Sequence, residues 1–354
     1  MIYIYTILFS SFFAWLYDLL RNKDGFIERI IKRSALIISF LPLYVIGAIR
    51  FNVGTDYLRY TWYQIPFAIA GKEVKFEFFP TQIARFGYWL GGGATYQYIF
   101  ALFHFIIIFF LFLAFVKQSQ SMALSVLLLM FTTFYPFSLN VMRQAMATAI
   151  FLWGLQFLQE KKYIKYVICI LVCSLFHTIA ILYLGLILFD FIKLNRKKVL
   201  LLVGFLSLFT LFGRGLLLQI ISRFGIYTEY LNWQVSYSQL YIVYALVLTV
   251  VTFLLLNFVD SEDKEKFRAQ IYTNYAFVLS TFFIPVLPEG TRLYFLFMPI
   301  HILLLPNLQK YSKRKDIVLI VYLLLSVFYV FFFYRLILVN NANEVLPYRT
   351  IFDK

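Results

Sequence analysis

Charge is scarce in this chain. Only 14% of its 354 residues are Asp, Glu, Lys or Arg, against about 25% in a soluble domain. A soluble protein of this length could not cover its surface with so few. Cysteine (2), proline (9) and glycine (15) are also few. That excludes a disulfide scaffold, a collagen-like chain and a low-complexity disordered one. Cys169 and Cys173 stand four apart in one apolar stretch, with no His or third Cys near them in sequence. They read as small packing residues rather than metal ligands. There is no carboxylate pair of the DxD kind, no zinc-type ligand spacing and no cofactor fingerprint, so no metal and no cofactor are expected. Gly91-Gly92-Gly93 has neither the preceding strand nor the lysine of a phosphate loop and reads as a flexible joint. A cleavable signal pattern is missing too: Ile2 to Leu20 is long enough to span a bilayer and lacks a positive leading region.

What is abundant is apolar and aromatic. Hydrophobic residues make up 62% of the chain and aromatics 21%, with 43 Phe and 27 Tyr. The expected fold is an all-α polytopic transmembrane bundle, one integral membrane domain over residues 1–354. A crossing needs about 20 apolar residues. Spans are expected near 2–20, 34–49, 97–116, 121–139, 141–158, 197–212, 240–259, 270–287, 291–306 and 317–338, ten in all. Two stretches, 50–96 and 213–239, hold amphipathic segments rich in Tyr and Trp, which suit the headgroup layer. A tail, 341–354, closes the chain.

The net charge of +15 would suggest nucleic acid in a soluble protein. In a membrane protein it follows from Lys and Arg in cytoplasmic loops, and no nucleic-acid partner is expected. The basic loop from Arg21 to Arg33 is assigned to the inside. Later basic loops keep to that side only if the apolar segment 163–191 turns back on itself near His177. Each limb would have about 14 residues, too few to cross alone. Broken backbone of this kind is tolerated at membrane depth where protein or a wet cavity surrounds it. On this topology the inside holds 14 Lys and 6 Arg, the outside 3 Lys and 9 Arg. Orientation requires only positive charge. An arginine bias points further, to the planar fork that grips phosphate or carboxylate at two points, although arginine also snorkels well at interfaces.

Five constellations gather on the outer side. The first runs from Arg50 through Gly54 to Asp56, Tyr57 and Tyr60, where the second span ends; the alternative is an interfacial loop with a structural ion pair. The second is Asn140 to Arg143 and Gln144 at a tight turn, with Arg143 in the first turn of a helix whose leading N–H groups are unpaired and suit an anion. The third is His177, an ionisable group at membrane depth; His104 and His301 lie in apolar spans and read as packing residues. The fourth is Pro288-Glu289-Gly290-Thr291-Arg292 at another helix start. The fifth is Pro347-Tyr348-Arg349. Together they imply an anionic, lipid-linked substrate reached from the membrane.

In order and spacing these residues resemble the EpsG family of exopolysaccharide and capsule polymerases, the Wzy class: Arg50 to Tyr60, then Arg143-Gln144 opening a helix, Phe176-His177 in a broken apolar segment, Arg292, and Pro347-Tyr348-Arg349. The resemblance runs over nearly the whole chain. It implies a metal-independent glycosyltransferase on the outer face of the bacterial cytoplasmic membrane. The donor would be a growing glycan on undecaprenyl pyrophosphate, the acceptor the non-reducing end of a lipid-linked repeat unit. The lipid bilayer and undecaprenyl-pyrophosphate-linked oligosaccharides would be its partners, with flippase and chain-length regulator proteins beside it. Arg143 and Arg292 would clamp the pyrophosphate with Arg50 supporting, and Tyr57, Tyr60, Gln144 and Arg349 would contribute to binding. Asp56 or His177, then Glu289, would be the base. A flippase of lipid-linked oligosaccharide or a glycan ligase would share the arginine-rich cavity. A transporter would be expected to show paired internal repeats, and only one broken segment is found.

Overall fold

A computed structural model describes residues 2–74, 76–224, 238–287 and 290–353. Every extended element among the described residues is helical, and the strand-like pairing is confined to one antiparallel bridge, Arg50 with Thr350. Helix is what an apolar setting demands, because it satisfies its own backbone groups. One of the ends left over is closed by a side chain from another helix. The Asp18 carboxylate accepts hydrogen bonds from Met122 N (3.0 Å), Ala123 N (3.0 Å) and the Ser121 hydroxyl (3.2 Å), closing the start of helix Met122–Phe131.

Six helices among the described residues are long and apolar enough to cross a membrane: Ile2–Leu20, Phe26–Ile49, Gln97–Gln118, Gln239–Leu256, Gly290–Tyr311 and Lys315–Val339. A seventh arises if the bent pair Met122–Phe131 and Phe134–Asn140 counts as one span, its halves meeting at 59°. Thr133, at the bend, has a left-handed backbone (φ 64°). The expected ten is not reached. Helix Met142–Gln159 has the length but carries Arg143 and three glutamines. It tolerates them because it runs through the centre of the bundle, where all but five of its 18 residues are buried. The span expected at 270–287 is a 13-residue helix, Arg268–Ser280, followed by a 3-10 turn. Helix Arg196–Phe224 continues past residue 212 into the stretch expected to be an amphipathic loop; residues 225–237 of that stretch lie outside the described residues.

The segment around His177 breaks as its charges require. Helix Tyr163–Phe176 stops at His177, whose backbone is extended (φ −157°, ψ 116°), and the chain returns as Thr178–Leu184 and Gly185–Phe191. The limbs are antiparallel: the Tyr166 hydroxyl donates to Tyr183 O (2.8 Å) and the Tyr163 hydroxyl to Asp190 Oδ2 (2.8 Å). Residues 190–196 therefore come back to the end of the bundle that 159–163 left.

The loops sort into two sets by their bonds. At one end Gln118 O accepts from Gln270 (3.2 Å) and Asn307 (3.0 Å), Gln159 Oε1 accepts from Ala269 N (2.9 Å), and Phe258 O accepts from Lys313 N (2.9 Å). These are the lysine-rich loops. At the other end Phe51 N donates to Arg349 O (2.9 Å), Asp56 N to Asn140 Oδ1 (2.7 Å) and Gln144 Nε2 to Arg292 O (2.9 Å). These are the arginine-bearing turns. Both packing histidines are satisfied in the interior: His104 Nε2 meets Leu43 O (3.2 Å), and His301 sits between Asn274 Oδ1 (3.0 Å) and the Tyr244 hydroxyl (3.3 Å). Gly47 makes room for the His104 ring, since a Cβ there would lie 1.9 Å from it.

Candidate functional site

The arginine-bearing end is held together by the loop that follows Ile49. At Gly54 the backbone turns with φ 100°, and a Cβ there would press to 3.2 Å of Leu139 O. Glycine is thus required for this loop to lie on the turn at 139–142. The Asn140 side chain then joins two of the sequence constellations to the C-terminal tail. Its Oδ1 accepts from Asp56 N (2.7 Å), and its Nδ2 donates to Asn343 Oδ1 of the C-terminal tail (3.2 Å). The tail pairs further through Gly54 N to Glu344 O (3.1 Å) and Ile351 N to Ile49 O (2.9 Å).

Arg50 lies inside this junction rather than on its surface, at 1% exposure. Its guanidinium donates to Val53 O (3.2 Å), contacts Met142 Sδ (2.9 Å) and packs over the Phe100 ring (5.2 Å). Tyr57 stacks on the same ring at 4.8 Å and 13°. Both side chains hold the loop in shape. Arg349 presents an exposed side chain and joins the junction through its carbonyl. Asp56 is half-buried and opens the short helix Tyr57–Arg59.

Arg143 opens helix Met142–Gln159, and Gln144 next to it is fully buried. Through its bond to Arg292 O, Gln144 ties this helix start to the first turn of helix Gly290–Phe297. The starts of two helices, each the positive end of a helix dipole, are therefore tied together. Arg292 itself is exposed there. Glu289 lies outside the described residues.

The centre of the cluster is a residue that the sequence constellations left out. Glu77, one residue before helix Phe78–Leu90, places its carboxylate between Arg143 and His177. Oε2 accepts from Arg143 Nη1, and Oε1 lies 2.9 Å from His177 Nδ1 and 3.4 Å from Thr178 N. All three side chains are mostly enclosed, at 13–16% exposure. Burial alone would raise the Glu77 pKa. The hydrogen bond from His177 and the charge of Arg143 outweigh it and bring the carboxyl down to about 2. An ionised carboxylate only accepts, so His177 Nδ1 carries the proton and, in the neutral ring, Nε2 is left as acceptor. The Arg143 guanidinium also packs over the Phe76 ring, 5.2 Å from its centre, and its charge acts on the buried Tyr60 hydroxyl. Tyr60 is 2% exposed.

The sequence signal for Glu77 was weak. It is an acidic residue at a helix-opening position, closing an aromatic stretch that reads as headgroup contact. Its partners stand 66 and 100 residues away. The site thus gathers His177, Arg143, Gln144, Tyr60 and Arg292, with Asp56 adjoining through Asn140, while Arg50 and Tyr57 lie beneath it. Among the described residues no three His, Cys, Asp or Glu side chains gather as metal ligands. A family model described as the EpsG family matches residues 34–350, which include every residue of the charged cluster. No curated protein and no solved structure matches the chain.

Proposed function

The chain belongs to the EpsG family, and from that premise we propose that it is a polysaccharide polymerase working as a glycosyltransferase at the outer face of the cytoplasmic membrane. The donor is a growing glycan on undecaprenyl pyrophosphate. The acceptor is the non-reducing hydroxyl of a lipid-linked repeat unit. The observation that carries this reading is the Glu77 carboxylate shared by Arg143 and His177.

Glycosyl transfer needs a base and a stabiliser for the departing charge. His177 Nε2 takes the proton of the acceptor hydroxyl as its oxygen attacks the anomeric carbon. Glu77 is a positioning residue: it fixes the tautomer and orients the ring, as the third member of a nucleophile–base–carboxylate arrangement does. The bond from the anomeric carbon to the diphosphate oxygen breaks, and its electron pair leaves with the diphosphate. Arg143, oriented by Glu77, sets its guanidinium charge against that anion. Arg292 and the two helix N-termini add to the same field, preorganised where the charge develops. Asp56 is the competing base, on the neighbouring loop. Arg50 supports the clamp by shaping that loop rather than by touching phosphate.

The test is purified protein with a synthetic undecaprenyl-diphosphate repeat unit, the products resolved on a gel. A ladder is the expected result. A single transfer to another acceptor would make the protein a ligase. No product, with transbilayer movement of the substrate in liposomes, would make it a flippase.

A further inference from the structure

Beside the charged cluster runs an apolar groove of about 500 Å³, within the size range of sites that hold small ligands. Two helices form its long walls. On helix Met142–Gln159 the lining residues are Ile150, Trp153 and Phe157; counted from Arg143 they stand at i+7, i+10 and i+14, one face of the helix. On the outgoing limb of the hairpin the lining residues are Ile168, Cys169, Val172 and Phe176, again a single face, and the next residue is His177. The hairpin wall is therefore a stripe that ends one residue from His177, while on the other helix the lining begins about two turns from Arg143. Ile106 and Phe110 line the groove from helix Gln97–Gln118. Phe79, two residues after Glu77, closes its upper end by stacking on Phe176 at 4.9 Å and 23°.

The far end is marked by Lys165, eleven residues from Phe176 on one helix, roughly 16 Å at 1.5 Å per residue. That is about half of a ~30 Å hydrocarbon layer. The groove is open along its flank, where Ile168 is 57% exposed. Its floor is set by Gly154: a Cβ there would lie 2.4 Å from Cys169 Sγ.

We propose that this groove seats the headgroup-proximal part of the prenyl chain of a prenyl diphosphate, with the diphosphate against Arg143 and the rest of the chain trailing into the bilayer. The occupant is chosen by continuity. A hydrocarbon chain lying along the hairpin stripe brings its polar end to the Phe79–Phe176 pair, which stands two residues from Glu77 and one from His177 in the chain. The inference rests on the polymerase reading for its substrate, but not for its test. Because the groove is short, binding should depend on the first part of the chain and not on its full length.

The experiment uses wild-type protein in phosphatidylethanolamine/phosphatidylglycerol nanodiscs and a prenyl diphosphate carrying a diazirine near the diphosphate. Crosslinks are expected on the peptide containing Ile168, Val172 and Phe176, competed by undecaprenyl diphosphate and not by extra phosphatidylglycerol. Labelling elsewhere, or equal competition by the phospholipid, overturns the proposal. In the second arm Val172→Trp fills the groove, and Ile168→Trp blocks its exposed rim should the first variant not fold. Either is expected to cut labelling at least tenfold and raise KM for the long-chain substrate with kcat within twofold. Labelling needs no glycan transfer, so the two ideas fail separately. A protein that labels as expected but makes no polymer keeps the groove and loses the polymerase reading. One that polymerises, labels elsewhere and ignores both tryptophans keeps the reading and loses the groove.

Discussion

The hairpin 163–191 carries an arginine–carboxylate pair at each end, and the two differ in what surrounds them. At its base Asp190 meets Arg268 (3.2 Å), with side-chain exposures of 6% and 10%. Every neighbour there is a fixed partner: Tyr163 donates to Asp190 (2.8 Å), and Arg268 reaches Leu158 O (3.4 Å) and Glu265 (3.2 Å). At its tip Glu77 meets Arg143 and His177. There the carboxylate comes from a separate loop, a histidine joins the pair, Arg143 stands at a helix start, and an apolar groove lies alongside. The same ion-pair chemistry fastens helices where it is sealed and is available to a substrate where it is not.

Variants at both ends test that difference. His177→Ala should have the largest effect, lowering polymer formation on the gel by about 10²–10⁴ with the protein still monodisperse. Retained activity would remove the histidine from the chemistry. Arg143→Lys keeps the charge and loses the fork; a fall of about 10²–10³ in turnover is expected, and full polymer length would end the clamp assignment. At the base, Arg268→Ala should cost about 3 kcal/mol of stability by stranding Asp190, read as a lower melting temperature in detergent. Turnover per folded molecule should stay within twofold. A loss of turnover without a loss of stability would erase the distinction between the two ends.

Glu77→Gln offers a pH test with a defined sign. The folded carboxyl lies near 2 against an ordinary 4.5, so its pairing stabilises the fold fully above pH 4.5 and is lost as pH falls toward 2. Wild type should exceed the variant by on the order of 3 kcal/mol at neutral pH, and melting curves should converge between those limits. A gap that stays constant would mean that His177 and Arg143 do not hold the carboxylate. Asp56→Asn should have the smallest effect, under threefold in turnover; a collapse of activity with normal folding would move the base role from His177 to Asp56.

Much of this could be read along the chain. Low charge and long apolar runs specify helices, and the side-to-side distribution of Lys and Arg demands a reversal near residue 177, where the Tyr166–Tyr183 and Tyr163–Asp190 bonds place it. Arg143 at a helix start and the packing roles of His104 and His301 were likewise legible, because each depends on its immediate neighbours. Span counting was less secure. Helices buried on all sides, such as Met142–Gln159, can carry glutamines and an arginine that no lipid-facing helix would.

The helical, apolar character of this protein, the two-ended sorting of its loops and the break at His177 are all written along the chain. These follow from periodicity and charge, which are properties of neighbouring residues. Packing brings Glu77 between Arg143 and His177, encloses Arg50 with Phe100 and Met142, and turns the stripes from Ile150 and Ile168 to one groove. The first two bridge 66, 100 and 92 residues of chain, and the third joins two consecutive helices. They depend on how the helices pack, and packing distance is not written in the spacing of residues along the chain.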